Sequence, residues 1–360
     1  MRVGLVLGAG GVQGGAWLTG ALDALSEGTG WDPASADFLV GTSAGSMIAA
    51  LCASGVPPWF MVAHSRGESF EGVRDAEGRP ASAADRSGGA VFRLHRGMPS
   101  IGPGSWSLLW RTLSRPDRHT PAALLSAWLP RGPVSTEPLS EQVRRVVPSG
   151  WGPHPGLRIV ACDYATGRRV AFGSPAAPSA DLADAVASSC AIPGFYRSVE
   201  IGNRQYVDGG VYSASNADLL RREGLDLVIC LNPTSSLHPV RALGPGAATR
   251  LLLHRASGRR LGREAKKLRA AGAEVVLIQP LEEDLRAMSV NLMSTRNRNE
   301  VIEVARMTVA EQIERPENRQ LLAELPRATR PEKVRRPAGP PSKWPPLDLL
   351  ATPPIQPATA

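Results

Sequence analysis

Phe38-Leu39-Val40-Gly41-Thr42-Ser43-Ala44-Gly45-Ser46-Met47-Ile48 decides the reading of this chain. Phe38-Leu39-Val40 has the short apolar run of a buried strand. Met47, Ile48 and Leu51 then recur at helical spacing until Gly55 and Pro57 stop them. Between the two lies Gly41-Thr42-Ser43-Ala44-Gly45. A nucleophilic serine must be exposed at a fixed angle. A sharp strand-to-helix turn does this, and it packs so tightly that only small residues fit at its flanks. The following helix aims its N-terminal dipole at the serine, where negative charge develops in acyl transfer. Ser43 is therefore the candidate nucleophile, with Gly41 and Gly45 as its supports.

The preceding residues extend the pattern. Val3–Leu7 reads as a buried strand and runs into Gly8-Ala9-Gly10-Gly11-Val12-Gln13-Gly14-Gly15. Leu18, Leu22 and Leu25 then mark a helix that Gly28 and Gly30 end. Strand, helix, strand, helix within some 55 residues opens a parallel α/β fold. Glycines let successive N–H groups point into one concavity, so Gly10, Gly11 and Val12 are candidate donors to an oxyanion, with Gly8 and Gly14 shaping the loop. A dinucleotide loop of G-x-G-x-x-G type fails here, because Gln13 occupies the third glycine position and the second strand ends in the Ser43 turn.

A serine hydroxyl needs a base at neutral pH. Asp208-Gly209-Gly210, after Gln205-Tyr206-Val207, offers a carboxylate at a turn that leaves room for close approach. By itself this is an ordinary Asp-Gly turn.

The ordered set resembles the patatin-like phospholipase family: a glycine loop after the first strand, G-x-S-x-G some 30 residues on, and D-G-G far downstream. Ala187-Ser188-Ser189-Cys190-Ala191-Ile192-Pro193-Gly194-Phe195 is similar to the family's stretch before the aspartate, and Val211–Asp218 to the segment after it. The likeness spans roughly 3–232 and weakens toward 314. It implies a three-layer α/β/α fold with a mainly parallel sheet. It also implies a Ser43–Asp208 dyad without a catalytic histidine, an oxyanion hole at Gly10-Gly11 and a lipid acyl-ester substrate. Ala9 departs from the usual first glycine, and Gln13 from the usual Arg or Lys. A missing cation there would weaken oxyanion stabilisation or shift the loop.

Two rivals stay open. A Ser-Asp-His triad in the α/β-hydrolase order needs His238 or His254, both read here as surface histidines. A lipid-binding protein on the same fold, weak in catalysis, is motivated by Ala9 and Gln13.

The remaining features bound the class. The chain has 360 residues, 42% hydrophobic, which suits a folded globular protein. No apolar run approaches a membrane span, and Met1–Leu7 is shorter than a signal-peptide core, so the expectation is a cytoplasmic protein, with peripheral visits to membrane surfaces left open. Cys52, Cys162, Cys190 and Cys230 are isolated, and nothing calls for a metal or cofactor. The net charge of +8 favours acidic partners or anionic membranes, but no nucleic-acid motif accompanies it.

Arg250, Arg255, Arg259, Arg260, Arg263, Lys266, Lys267 and Arg269, interleaved with Leu251, Leu252, Leu261 and Leu268, read as a solvated basic helix, with a bilayer-surface helix as the alternative. The expected domain is 1–315. Within it 66–150 is a variable covering region: a mobile 66–104, then helices with Trp106, Leu109, Trp110 and Leu113 on one face. Its tryptophans and leucines would wall the acyl chain. Residues 316–360 read as a disordered tail, since nine of the last 30 residues are proline. Oligomeric state is not readable.

Overall fold

The computed structural model describes residues 1–68, 92–95, 102–115, 121–236 and 247–339. Most of the expected mobile stretch and the last 21 residues lie outside them, as does His238.

The strands are β1 (Val3–Leu7), β2 (Phe38–Thr42), β3 (Leu157–Asp163), β4 (Arg169–Phe172), β5 (Val199–Ile201), β6 (Arg204–Asp208), β7 (Leu227–Leu231) and β8 (Glu274–Ile278). They form one sheet in the order β5-β6-β3-β2-β1-β7-β8, with β4 also on β3. The neighbours from β3 through β8 are parallel; β4, β5 and β6 join antiparallel.

The helices are α1 (Gly11–Thr29), α2 (Ala44–Ala53), α3 (Pro58–Ser65), α4 (Trp106–Ser114), α5 (Pro121–Trp128), α6 (Glu137–Arg144), α7 (Leu182–Ser189), α8 (Ala247–Arg269), α9 (Glu282–Ala287), α10 (Arg298–Glu314), α11 (Pro316–Leu322) and α12 (Pro331–Val334). Strand side chains alternate between faces. Leu5, Leu7, Leu39, Ile159 and Ile229 pack against α1, α2, α7 and α10. Val6, Val40, Val160 and Cys230 face the other way, onto Leu261, Ala265 and Leu268 of α8. Cys162 and Val207 continue that second face under Leu108, Leu109, Ala123 and Ala127 of α4 and α5. The result is a mixed α/β fold with a mostly parallel sheet between helical layers.

Four expectations change. α1 begins at Gly11, so the loop proper is only Gly8–Gly10; Gly11 supplies the left-handed turn (φ +60°) that starts the helix early. Residues 316–339 are not a free tail: Leu322, Leu325 and Val334 are buried, Trp59 Nε1 donates to Glu332 O (2.8 Å), and Lys333 Nζ donates to Gly55 O (2.6 Å). A few well-placed apolar residues suffice to dock a segment of otherwise polar composition. On α4, Leu109 turns inward beside Leu108, while Trp106, Trp110 and Leu113 point outward, so these four do not share a face. His254 is buried in α8 and is not a surface histidine.

On α8, Leu261 and Leu268 are taken up by the core, and the side chains of Leu251 and Leu252 lie outside the described residues. Among the described residues, no helix is long and apolar enough to cross a membrane.

Candidate active site

The sheet register builds the site. β3 carries β4 along one edge and two strands in succession along the other. Thr42 of β2 pairs with Val160, and Asp208 of β6, arriving from the opposite direction, pairs with Ala161. Two strand ends therefore meet head-on along one edge of β3. The residue after Thr42 is Ser43, and it faces the Asp208 carboxylate closely enough to lower its pKa against the effect of burial.

Ser43 holds φ +53°, ψ −124°, a conformation uncommon for a residue with a Cβ. The surroundings enforce it. A Cβ on Gly45 would strike Leu7 O and lie 2.7 Å from Gly8 O, and one on Gly41 would lie 2.5 Å from Ser46 Cα. The Ser43 N–H donates to Ser189 Oγ (2.9 Å), whose hydroxyl donates to Val160 O. Ser46 Oγ donates to Ser43 O (2.6 Å). The turn is thus tied to the end of α7 and to β3 by hydroxyls.

Asp208 is buried. Its N–H donates to Ala191 O, and its Oδ1 accepts from Gly210 N (2.7 Å). Burial raises its pKa to about 6, against the lowering effects of Ser43 and the Gly210 N–H. Among the described residues, no histidine is among the groups that set this value. A carboxylate with a pKa near 6 is still ionised at neutral pH, yet is a stronger base than an exposed aspartate. Gly209 packs on Val160, too close for a side chain.

The Gly8–Gly10 loop completes the arrangement. Leu7 pairs with Gly41, so this loop and the Ser43 turn leave the sheet side by side. Around the loop, Gly8 N donates to Leu231 O, Ala9 N to Ala214 O, Gln13 N to Leu292 O and Gly14 N to Gly10 O. The N–H groups between them, on Gly10, Gly11 and Val12, meet no partner among the described residues. These are the three donors expected for an oxyanion. α1 and α2 both start here, and neither has an acidic side chain in its first turn to offset the dipole.

Gln13 has a different place from the one its position suggested. It is fully buried; its Nε2 donates to Ser294 O and Arg296 O (both 2.8 Å), and its Oε1 accepts from Ser289 N (3.1 Å). It clamps the 289–296 segment onto α1, beside Gly11. The sequence reading also missed Asn216 and Glu264. Asn216 sits at φ +54° and donates to Thr42 Oγ1 (3.1 Å). Glu264, buried on α8, accepts from Ser213 Oγ, Ser215 Oγ and Ala217 N, and so fixes the segment after Asp208. A lone acid in a basic run was its only signal, and it also pairs with Arg260 (3.1 Å).

The sequence model of the patatin-like phospholipase family matches residues 5–221, which takes in the loop, the serine turn, the aspartate turn and every strand up to β6. The chain belongs to the patatin-like phospholipase family. Its members are lipid acyl hydrolases, so this patatin-like chain has a lipid as its class of substrate. A search of curated proteins finds no match to it.

Proposed function

We propose that the chain is a serine acyl hydrolase of the phospholipase A or lysophospholipase kind, working through a Ser43–Asp208 dyad. The observation that carries this reading is the meeting of Ser43 and Asp208 end to end on one edge of β3, beside three N–H groups that meet no partner among the described residues.

In the proposed reaction, Asp208 takes the proton of Ser43 Oγ as that oxygen attacks the ester carbonyl. The carbonyl oxygen gains the negative charge and receives hydrogen bonds from Gly10, Gly11 and Val12, reinforced by the α1 and α2 dipoles. The C–O bond to the alcohol breaks, and Asp208 returns the proton to the leaving oxygen. Water then attacks the acyl-enzyme, giving a proton to Asp208; the bond between Ser43 Oγ and the acyl carbon breaks, Asp208 returns that proton to Oγ, and the fatty acid leaves. Ser189 and Ser46 hold the turn, and Gln13 holds the wall beside the loop. The neutral amide of Gln13 adds no charge at the oxyanion, so the backbone N–H groups bear that role.

The test is hydrolysis of short- and long-chain p-nitrophenyl esters, phosphatidylcholine and lysophosphatidylcholine by the unsubstituted chain, Ser43→Ala, Asp208→Asn and His254→Ala, with circular dichroism to verify folding. The dyad predicts that Ser43→Ala and Asp208→Asn lose activity by about 10³-fold or more while His254→Ala retains it. A collapse in His254→Ala as deep as that in Asp208→Asn would replace the dyad with a triad. An unsubstituted chain inactive on the whole panel would favour lipid binding without turnover.

A further inference from the structure

The α4–α5 hairpin is built with two apolar faces. One is buried: Leu108, Leu109, Ala123 and Ala127 cover Cys162 and Val207, which lie on β3 and β6 at the end where Ser43 and Asp208 meet. Tyr164 Oη, just past β3, donates to Ser126 O (2.9 Å) and ties α5 to that end of the sheet. The other face is open. Trp106, Trp110 and Leu113 follow at i, i+4 and i+7 on α4, with Leu124, Leu125 and Trp128 on α5. Their exposures run from 40% to 74%.

These six make up more than half of the eleven large apolar side chains exposed among the described residues, so the apolar surface is concentrated there. The three tryptophans alone, about 70% exposed, present roughly 400 Å² of ring surface, in the range of the largest apolar patches on folded domains, which are often functional.

The chemistry of this face selects its occupant. Tryptophan combines a large apolar body with an N–H donor, which suits the boundary between acyl chains and head groups. Cations accompany the rings. Arg111 and Arg115 are exposed on and just after α4, and between Ser105 and Arg131 the sequence has three arginines against the single acid Asp117. On the basic helix α8, Leu261 and Leu268 are spent on the core.

We propose that the outer face of α4 and α5 is the surface by which this chain docks on an anionic lipid bilayer, setting the Ser43–Asp208 end of the sheet against the lipid. The proposal rests on the reading of the chain as a lipid acyl hydrolase, and it names the physical form in which the substrate is met. The tryptophan rings enter the interfacial layer, the arginines meet lipid phosphates, and the buried face of the same two helices holds the active-site end of the sheet at a fixed distance from the membrane.

The experiment separates docking from turnover. Full-length Ser43→Ala is mixed with phosphatidylcholine–phosphatidylglycerol vesicles or with pure phosphatidylcholine vesicles, and the bound fraction is read by sedimentation. The same is done after adding Trp106→Gln, Trp110→Gln and Trp128→Gln together. All three rings are exposed, and glutamine is a good helix former, so the fold is kept.

The expected result is binding that is stronger on the anionic vesicles and falls by about tenfold or more in the triple variant. With Ser43 intact, the triple variant should lose activity on vesicle lipid by a similar factor and keep it on a soluble monomeric ester. Equal binding with and without the tryptophans overturns the proposal, as does absence of binding to both vesicles. Equal loss on the soluble ester would put these rings in the catalytic site and also overturns it. So does a change of oligomeric state in the lipid-free triple variant, which would make the face a contact between copies. Tryptophan-dependent binding by a chain that hydrolyses no ester would sink the hydrolase reading and leave the docking surface standing.

Discussion

Replacing the buried Asp208 with asparagine should stabilise the protein while abolishing its activity, and the gain should depend on pH in a way the structure fixes. Burial lifts the Asp208 pKa from an ordinary 3.8 to about 6. Between those values the folded chain binds more protons than the unfolded one, so stability falls as pH rises through that window. Above about pH 6 the full cost is present: about two pKa units at 1.36 kcal/mol each, or roughly 3 kcal/mol. Asparagine has nearly the same shape, can accept from Gly210 N, and has no charge to bury. The difference between the two proteins should therefore be about 3 kcal/mol near pH 7.5, about 1 kcal/mol near pH 4.5, and smaller still below the unfolded pKa. For a chain of this size, the larger figure corresponds to a rise in Tm of about 5 °C. Other buried carboxyls with raised pKa values, Asp23 and Asp284, are common to both proteins and cancel. The assay is thermal or urea denaturation of both proteins across that pH range. A difference that is the same at both ends, or that turns against asparagine as pH rises, would refute the assignment of Asp208 as a desolvated, charged base.

Further predictions follow from the same contacts. Since Asp208 must be ionised to accept the Ser43 proton, kcat/KM for a neutral ester should rise to a plateau with an apparent pKa of about 6, measured on a substrate that does not itself titrate. Ser189→Ala leaves the buried Ser43 N–H without its acceptor; kcat should drop about tenfold or more with KM little changed, and a fall in KM affinity alone would contradict a role in holding the turn. Gly45→Ala drives a methyl group into Leu7 O and should cost soluble protein and activity together, whereas Gly262→Ala on α8 meets nothing within 4 Å and should stabilise by about 0.5–1 kcal/mol in a denaturant titration. Gln13→Ala removes three hydrogen bonds from the 289–296 segment and should cost about 3 kcal/mol in the same titration, together with faster proteolysis near Ser294.

How much of this was legible depended on whether a residue's role is local. Val3–Leu7 and Phe38–Thr42 alternate between two apolar layers and so read as buried runs, and the glycines flanking Ser43 report a close approach that their neighbours enforce. Asp208 is different. Its turn is ordinary in sequence, and it meets Ser43 only because β6 enters antiparallel and ends where β2 ends, a long-range pairing that the family resemblance implied and the residues alone did not. The roles of Ser189, Asn216 and Glu264 were hidden for the same reason: each acts on a partner tens to hundreds of residues away. Glycine content hid the first turns of α1, because helix propensity is low where Gly11, Gly14 and Gly15 stand although packing makes a helix there. In the segment after 315, proline and arginine content masked the three apolar side chains that dock it.

A Ser43 nucleophile activated by Asp208 can be captured covalently. The folded chain is treated with a fluorophosphonate at about pH 7.5, where Asp208 is ionised, and the adduct is located by peptide mass spectrometry. The expected result is a single adduct on Ser43, none in Ser43→Ala, and labelling slowed by about 10²-fold or more in Asp208→Asn. An adduct on another serine, or labelling of Ser43 that is as fast in Asp208→Asn as in the unsubstituted chain, would contradict it.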